Sequence, residues 1–202
     1  MPTPTSSGSH RREIWRELLA ADADTLVCRR REMMFGYDAA TAAPWHQTLV
    51  YRTVSPKRRP RLNDNRSDPL PYPYLYFALP PKLLMRAARL RKVGNGNHTA
   101  KYDGETRQSG SGVTIYHFPI RSAAQFERKV RRGGQALARN TRLPQGIGWH
   151  WRRWHRKLAS EGLEATLADA LPSADRLARD FADGVLMEDV TMANLLSGAQ
   201  AA

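Results

Sequence analysis

The chain has 202 residues, and its 32 Lys and Arg residues against 19 Asp and Glu residues give a formal net charge of +13. Its 13 Pro and 14 Gly residues are close to average usage, which excludes a collagen-like repeat. An apolar share of 41% argues against a wholly disordered chain, and the length suits one ordinary domain. A sequence pI near 10.5 predicts an anionic partner: nucleic acid, a phosphorylated small molecule or an acidic membrane surface.

Cysteine content and hydropathy indicate the compartment. A single cysteine, Cys28, cannot form an intrachain disulfide, which favours a reducing, cytoplasmic environment. No apolar run approaches the eighteen or so residues of a transmembrane segment. Residues 1–10 are polar, lack the apolar core of a secretory signal, and are expected to form a disordered leader.

The first half of the chain alternates short ordered stretches with irregular ones. A helical pattern begins at Arg11, and residues 25–28 and 48–51 are predicted as strands. Residues 55–81 contain seven prolines, each of which fixes φ and removes a hydrogen-bond donor, so a central strand or a long helix is excluded there. Aromatic residues between these prolines predict that the segment packs against the rest of the protein.

The second half has stronger signals. Residues 82–93 fit either a helix running into a strand or one bulged edge strand, and Gly94-Asn95-Gly96-Asn97 predicts a turn. Residues 112–118 form the clearest strand pattern. Ser122 and Gln125 form a capping box for a helix with apolar residues at 126, 130 and 137. Residues 147–160 and most of the chain to residue 196 are helical in character.

The positive charge is concentrated in one segment. Residues 118–160 carry eleven Lys and Arg residues and one acid, Glu127, a net charge of +10, whereas acids dominate after Ser160. A strand-to-helix junction within a basic segment predicts a phosphate-binding face, because backbone amides point outward there and arginine binds phosphate in a bidentate manner. The alternative is a solvated basic face without a specific ligand. The acidic segment after Ser160 is a further candidate to pack on this face and weaken anion binding.

Three tryptophans lie within the basic segment, at positions 149, 151 and 154. Aromatic residues interleaved with basic ones are typical of surfaces that stack on nucleic-acid bases. Trp151 and Trp154, however, share one face of a helix, which is also the pattern of core packing. The sequence therefore predicts a basic nucleic-acid-binding module over residues 118–160 as an alternative function.

Two histidines are candidate ligands, and one acidic motif has the spacing of a metal-binding signature. His117 ends a strand and His98 follows a turn, so each is a candidate to hold a metal or a phosphate or to be a structural residue. Asp22-Ala-Asp24 spells the Asp-x-Asp signature of many nucleotide-sugar enzymes. Because it follows a helical pattern and precedes a strand, instead of ending a strand, it is interpreted as a helix-to-strand loop.

Six blocks of sequence together resemble the C-terminal half of bacterial family 2 glycosyltransferases. They lie within residues 80–155, with looser similarity back to Arg11. The blocks are GNH at 96–98, IYHFPIRS at 115–122, QFERKV at 125–130, GG at 133–134, LP at 143–144 and GWHW at 148–151. The order HFPIRS then QFxRKV is the most specific part of the resemblance.

The resemblance implies an α/β fold: a partial GT-A-like mixed sheet with flanking helices and a helical C-terminal tail. It implies a glycosyltransferase that uses a divalent cation (Mn or Mg) to transfer a sugar from a nucleotide-diphosphate sugar to a glycan or other hydroxyl acceptor. In that picture His117 completes the metal and diphosphate site, Arg121 and Lys129 offset phosphate charge, and His98 lies near the acceptor.

The resemblance also implies a division of the chain. Residues 1–10 are the leader, 11–160 the C-terminal portion of the transferase-like domain, and 161–202 the helical tail. A nucleotide-binding half that ends in the acidic metal motif is not recognised, so the chain is interpreted as the product of a truncated or misassigned reading frame, and both an active and an inactive fragment remain open.

Overall fold

The computed structural model describes residues 16–17, 19–38, 44–60, 69–140, 142–144 and 146–200, so the predicted leader at 1–10 lies outside the described residues. The chain has a mixed α/β fold in two compact units. The first contains Leu79–Tyr116 with the chain up to Arg31, and the second contains Glu32–Ala78 with the chain from His117 onward.

The strands in these ranges are short except for two. They are β1 (Thr25–Glu32), β2 (Tyr51–Thr53), β3 (Lys82–Met85), β4 (Leu90–Val93), β5 (Ala100–Tyr102), β6 (Gln108–His117) and β7 (Leu186–Glu188). The helices with both ends in these ranges are α1 (Trp45–Thr48), α2 (Ala123–Arg139), α3 (Trp149–Ser160), α4 (Gly162–Ala170), α5 (Ala174–Ala182) and α6 (Thr191–Gln200).

The largest sheet is mixed and has the order β3-β1-β6. Strands β1 and β3 are antiparallel, with Leu26 opposite Leu84. Strands β1 and β6 are parallel. The Asp24 amide donates to the Arg107 carbonyl just before the two strands begin, and the Met33 amide donates to the His117 carbonyl where they end. The fully buried Leu26 and Cys28 place the centre of β1 in the core, as expected for a central strand.

The ambiguous stretch at 82–93 folds as two strands. Strand β3 joins the mixed sheet, and β4 pairs antiparallel with β5 across the predicted turn. Gly96 and Asn97 in that turn have φ of 70° and 61°. Positive φ suits glycine and is tolerated by asparagine, so the turn prediction is confirmed with its physical reason.

Helix α2 buries the apolar stripe expected from its sequence. Phe126 and Val130 are almost fully buried, and Leu137 is half-buried. They pack in the second unit, where Phe126 meets Trp154 of α3 in an edge contact with 5.1 Å between ring centroids. The predicted helical period is therefore confirmed by burial.

The proline-rich segment packs as predicted. Its aromatic stretch forms a 3₁₀ helix at Tyr74–Tyr76, and Tyr74, Leu75 and Tyr76 are buried. The Tyr74 ring lies 5.0 Å from that of Trp154. Prolines interrupt backbone hydrogen bonding, but the aromatic side chains bury enough apolar surface to order the segment.

Two structural differences from the sequence predictions occur in the second unit. The strand predicted at 48–51 begins only at Tyr51, because Trp45–Thr48 is a helical turn. The C-terminal part is not wholly helical, since β7 pairs antiparallel with β2 and Arg52 binds Asp189 at 2.7 Å. A three-residue strand is too short to show alternation and forms only where a partner strand exists.

Within the part of the chain that the structure describes, no helix combines the length and apolarity needed to cross a membrane.

Candidate functional site

A tight junction joins β6 to α2 in the second unit. Strand β6 ends at His117, and Ser122 caps α2 by accepting a hydrogen bond from the Gln125 amide at 3.2 Å. The Gln125 side chain accepts in turn from the Arg121 amide at 3.2 Å. The predicted N-cap at Ser122 is confirmed, while the reciprocal bond of the capping box is displaced by one residue, because Gln125 accepts from Arg121 and not from Ser122; together they fix the start of α2 a few residues after His117.

His117 is held by a carboxylate at the end of the neighbouring strand. Its Nδ1 lies 2.7 Å from Oε2 of Glu32, whose side chain is 8% exposed, whereas the His117 side chain is 37% exposed. The Met33 amide also donates to the His117 carbonyl at 2.9 Å. Because Nδ1 is engaged by Glu32, a ligand would meet the ring through Nε2, as in carboxylate–histidine pairs that orient a ligating or proton-transferring imidazole.

Lys129 lies in α2, one helical turn after Gln125, and is half-buried. Its Nζ donates to the Pro119 carbonyl at 2.8 Å and lies 5.8 Å from the centre of the Trp151 ring. Burial lowers the pKa of Lys129, and the positive charge of Arg121 lowers it further, while the Glu32 carboxylate acts in the opposite direction. The amine therefore lies within electrostatic reach of both Arg121 and Glu32.

Arg121 lies between His117 and the start of α2, and its side chain is exposed. Its guanidinium carbon lies 5.6 Å from the centre of the Trp45 ring, and that ring meets Phe118 edge-on with 4.9 Å between centroids. The aromatic contact holds the long side chain near the surface without burying its charge.

We name Glu32, His117, Arg121 and Lys129 the junction cluster. Three of its members were predicted from the sequence, where they lie within thirteen residues of one another. Glu32 was missed, although it is the single acid between residues 25 and 37 and directly follows three arginines. The signal that could have identified Glu32 is its position as an acid directly after three arginines at the end of a strand.

His98, the fourth predicted residue, lies in the first unit. It follows the turn between β4 and β5, and its Nδ1 lies 2.7 Å from the Pro81 carbonyl oxygen. This contact gives His98 a structural role in that region, and its predicted place near an acceptor stays a prediction.

The Asp-x-Asp motif occupies the loop before β1, as interpreted from the sequence. Asp24 is buried and accepts from the Arg107 amide at 2.9 Å and from Arg89 at 2.6 Å. The Arg107 amide hydrogen bond is the main cause of a lowered pKa at Asp24, which burial opposes and Arg89 reinforces. Asp22 is exposed and pairs with the Arg107 guanidinium at 2.6 Å. Both carboxylates therefore have arginine partners within the unit.

The junction cluster alone does not complete a cation site. His117 is its one imidazole, and Glu32 is already bonded to that ring. Among the described residues, no group of three His, Cys, Asp or Glu side chains is placed to hold a metal ion. Mn²⁺ and Mg²⁺ prefer about six ligands, mostly oxygen, and the one carboxylate and one imidazole of this cluster fall short of that number.

The tryptophans of the basic segment serve mainly in packing. Trp154 is 4% exposed, and its indole donates to Asp169 at 3.0 Å. Trp149 meets Tyr74 with 5.6 Å between ring centroids. Arg153 is also buried and makes a bidentate pair with Asp169. The core-packing interpretation is confirmed for Trp154, which removes one stacking platform from the nucleic-acid alternative.

Comparison of this chain with protein-family models, with curated proteins and with solved structures finds no match.

Proposed function

We propose that the junction cluster binds the diphosphate of a nucleotide-diphosphate sugar, and that the chain takes part in sugar transfer to a hydroxyl acceptor. The observation that carries the proposal is the His117–Glu32 pair at 2.7 Å, together with the Lys129 amine, which donates to the Pro119 carbonyl two residues after His117. The sequence resemblance assigns the same three side chains, His117, Arg121 and Lys129, to this role.

The chemistry of the cluster suits a diphosphate. Arg121 presents the planar fork that binds phosphate oxygens in a bidentate manner, and Lys129 adds a compact point charge. The 17-residue helix α2 begins beside them and contributes the partial positive charge of its N-terminus. A phosphate that approached the Lys129 amine would also raise the pKa of that group toward its ordinary value.

These charges would assist the bond-breaking step. In the transfer, the acceptor oxygen bonds to the anomeric carbon and releases its proton to solvent, the bond from that carbon to a diphosphate oxygen breaks, and negative charge accumulates on the leaving nucleoside diphosphate. Fixed cations placed where that charge develops lower the barrier more than they strengthen ground-state binding. Glu32 would hold the His117 ring in place beside the same diphosphate.

Calorimetric titration of the full chain with UDP-sugars and GDP-sugars, with and without Mn²⁺, tests the proposal. We expect His117→Ala and Arg121→Ala each to weaken binding about tenfold or more, as for loss of a hydrogen bond to a charged group. Arg132→Ala is the matched control, because Arg132 is an exposed arginine of α2, the helix that follows Arg121, and it should bind as the unmodified chain does.

Two results would contradict the proposal. One is the absence of heat of binding for every sugar nucleotide with the unmodified chain. The other is an Arg132→Ala variant as impaired as Arg121→Ala, which would indicate a diffuse charge effect. Retardation of duplex DNA or RNA in a gel, with affinity that falls steeply as salt rises, would favour the nucleic-acid alternative.

A further inference from the structure

A cavity in the same unit lies apart from the junction cluster. It has a volume of about 560 Å³ and lies between the proline-rich segment and helices α3, α4 and α5. None of Glu32, His117, Arg121 and Lys129 lines it. Small-molecule sites commonly have volumes of about 300–1,000 Å³, so the cavity is large enough for a ligand of several polar groups.

The charges in its wall are compensated within the protein. Three basic side chains line the cavity, and each is paired with a carboxylate. The pairs are Arg153 with Asp169 at 2.5 Å, Lys157 with Glu161 at 2.5 Å, and Arg176 with Asp180 at 3.1 Å. Because each base has a carboxylate partner, the three pairs add no net charge to the wall that would attract an anion or a cation. The wall therefore favours a neutral ligand.

The paired groups still offer hydrogen bonds at the mouth of the cavity. The side chains of Lys157 and Glu161 are 22% and 51% exposed, so an ammonium donor and a carboxylate acceptor lie side by side near solvent. Lysine has three donor positions and a carboxylate about four acceptor positions, more than one ion pair uses. A donor and an acceptor at this spacing match two adjacent hydroxyl groups, each of which can donate and accept.

Apart from Ser173, the remaining wall is apolar and aromatic. Tyr37 and Tyr72 line it together with prolines at 69, 73 and 172. The Tyr72 ring is held in place by Tyr76, stacked at 6.2 Å, and by the Arg176 guanidinium, 5.6 Å from its centre. Because Lys57 and Arg176 both lie over the Tyr72 ring, Tyr37 and the prolines supply the wall surface for weakly positive C–H groups, which aromatic faces attract.

We infer that this cavity binds a neutral saccharide. A pyranose has a C–H face for the tyrosine and proline wall, adjacent hydroxyls for the Lys157–Glu161 pair, and no net charge to disturb the three ion pairs. The inference does not rest on the proposed function, because saccharide binding is measured without any sugar nucleotide.

The test uses the Trp154 indole N–H, which donates to Asp169 in the cavity wall, as a reporter in ¹H–¹⁵N NMR spectra of the full chain. The probes are the methyl glycosides of glucose, galactose, mannose and N-acetylglucosamine, with inorganic phosphate and uridine as comparisons. We expect at least one glycoside, but neither comparison compound, to shift this resonance in a saturable manner. Ala168→Trp, which fills the cavity from an exposed position of α4, should abolish the shift.

Ala178→Trp is the matched control, because Ala178 is exposed on α5 outside the cavity wall, and it should keep the shift. Glu161→Gln, which removes the exposed carboxylate without filling space, should weaken glycoside binding and serves if Ala168→Trp does not fold. Saturable shifts caused by phosphate or uridine but by no glycoside would overturn the inference. So would no response to any glycoside, or glycoside binding unchanged in Ala168→Trp and Glu161→Gln.

Discussion

Asp22 and Asp24 are separated by one residue, and both accept a hydrogen bond from Arg107, yet their surroundings differ. The Asp22 side chain is 85% exposed and pairs with the guanidinium, while Asp24 is buried and accepts from the Arg107 backbone amide and from Arg89. An exposed pair is screened by water and adds little stability, whereas a buried carboxylate depends on its donors. Solvent exposure thus gives the two acids of one motif different roles.

We predict that Asp24→Asn lowers the free energy of unfolding at pH 7 and that Asp22→Asn has a smaller effect. The folded state lowers the pKa of Asp24, so the carboxylate stabilises the fold above its unfolded-state pKa, and this contribution is lost as pH falls through the folded-state value. Urea denaturation at pH 7 and at pH 3 measures both variants. The difference between Asp24→Asn and the unmodified chain should shrink at pH 3. An equal difference at both pH values would contradict the assignment.

At the junction cluster, three residues could be predicted from the sequence and the fourth, Glu32, could not. His117, Arg121 and Lys129 were found because a strand end and a helix start are neighbours in the chain. Glu32 lies 85 residues from His117, and only the pairing of β1 with β6 brings the two side chains together. Ion pairs between distant residues depend on strand register, which local sequence patterns do not report.

At the scale of elements, helices α2 and α3 pack closely because of two glycines. A Cβ added at Gly134 would overlap the Cβ and Cγ of His155, and one added at Gly133 would lie 3.1 Å from the Trp151 ring. Glycine normally weakens a helix, so its presence at these positions is explained by close packing between the helices. Their spacing places Trp151 over Lys129 of the junction cluster.

Gly134→Ala should destabilise the chain by about 1–3 kcal/mol, because overpacking forces backbone or side-chain shifts. Gly198→Ala in α6 is the control, since no described atom lies within 4 Å of the added Cβ, and helix propensity there favours alanine by about 1 kcal/mol. Thermal and urea denaturation measure both. A stabilised Gly134→Ala variant would show that the two helices are not in close contact at this point.

At the scale of the whole molecule, the acidic C-terminal part neutralises some of the basic segment. Asp169 pairs with Arg153, and Glu161 pairs with Lys157, so two of the eleven bases between residues 118 and 160 are compensated by acids that follow them. The sequence raised this packing as an alternative to an open basic face. The contacts show that it occurs for these two side chains.

Asp169→Ala should cost about 3–5 kcal/mol, because it leaves the buried charge of Arg153 without its carboxylate. The side chains of Arg153 and Asp169 are 8% and 5% exposed, so solvent screens the ion pair little. Asp175→Ala, at an exposed acid of α5, is the control for loss of one negative charge. The double variant Arg153→Met with Asp169→Leu should recover much of the loss. Equal stability of the two single variants in urea denaturation would contradict a structural role for the pair.

The sequence by itself determined the features that depend on neighbours in the chain. These are the capped helix after Ser122, the strand before it, the positive-φ turn at Gly96 and the location of the net charge, since capping, periodicity and composition act over a few residues. The tertiary structure alone decided that Glu32 holds His117, that Trp154 is buried, that Arg153 is compensated and that residues 186–188 form a strand. Burial, ion pairing and strand addition require partners distant in the chain, so no local pattern of the sequence contains them.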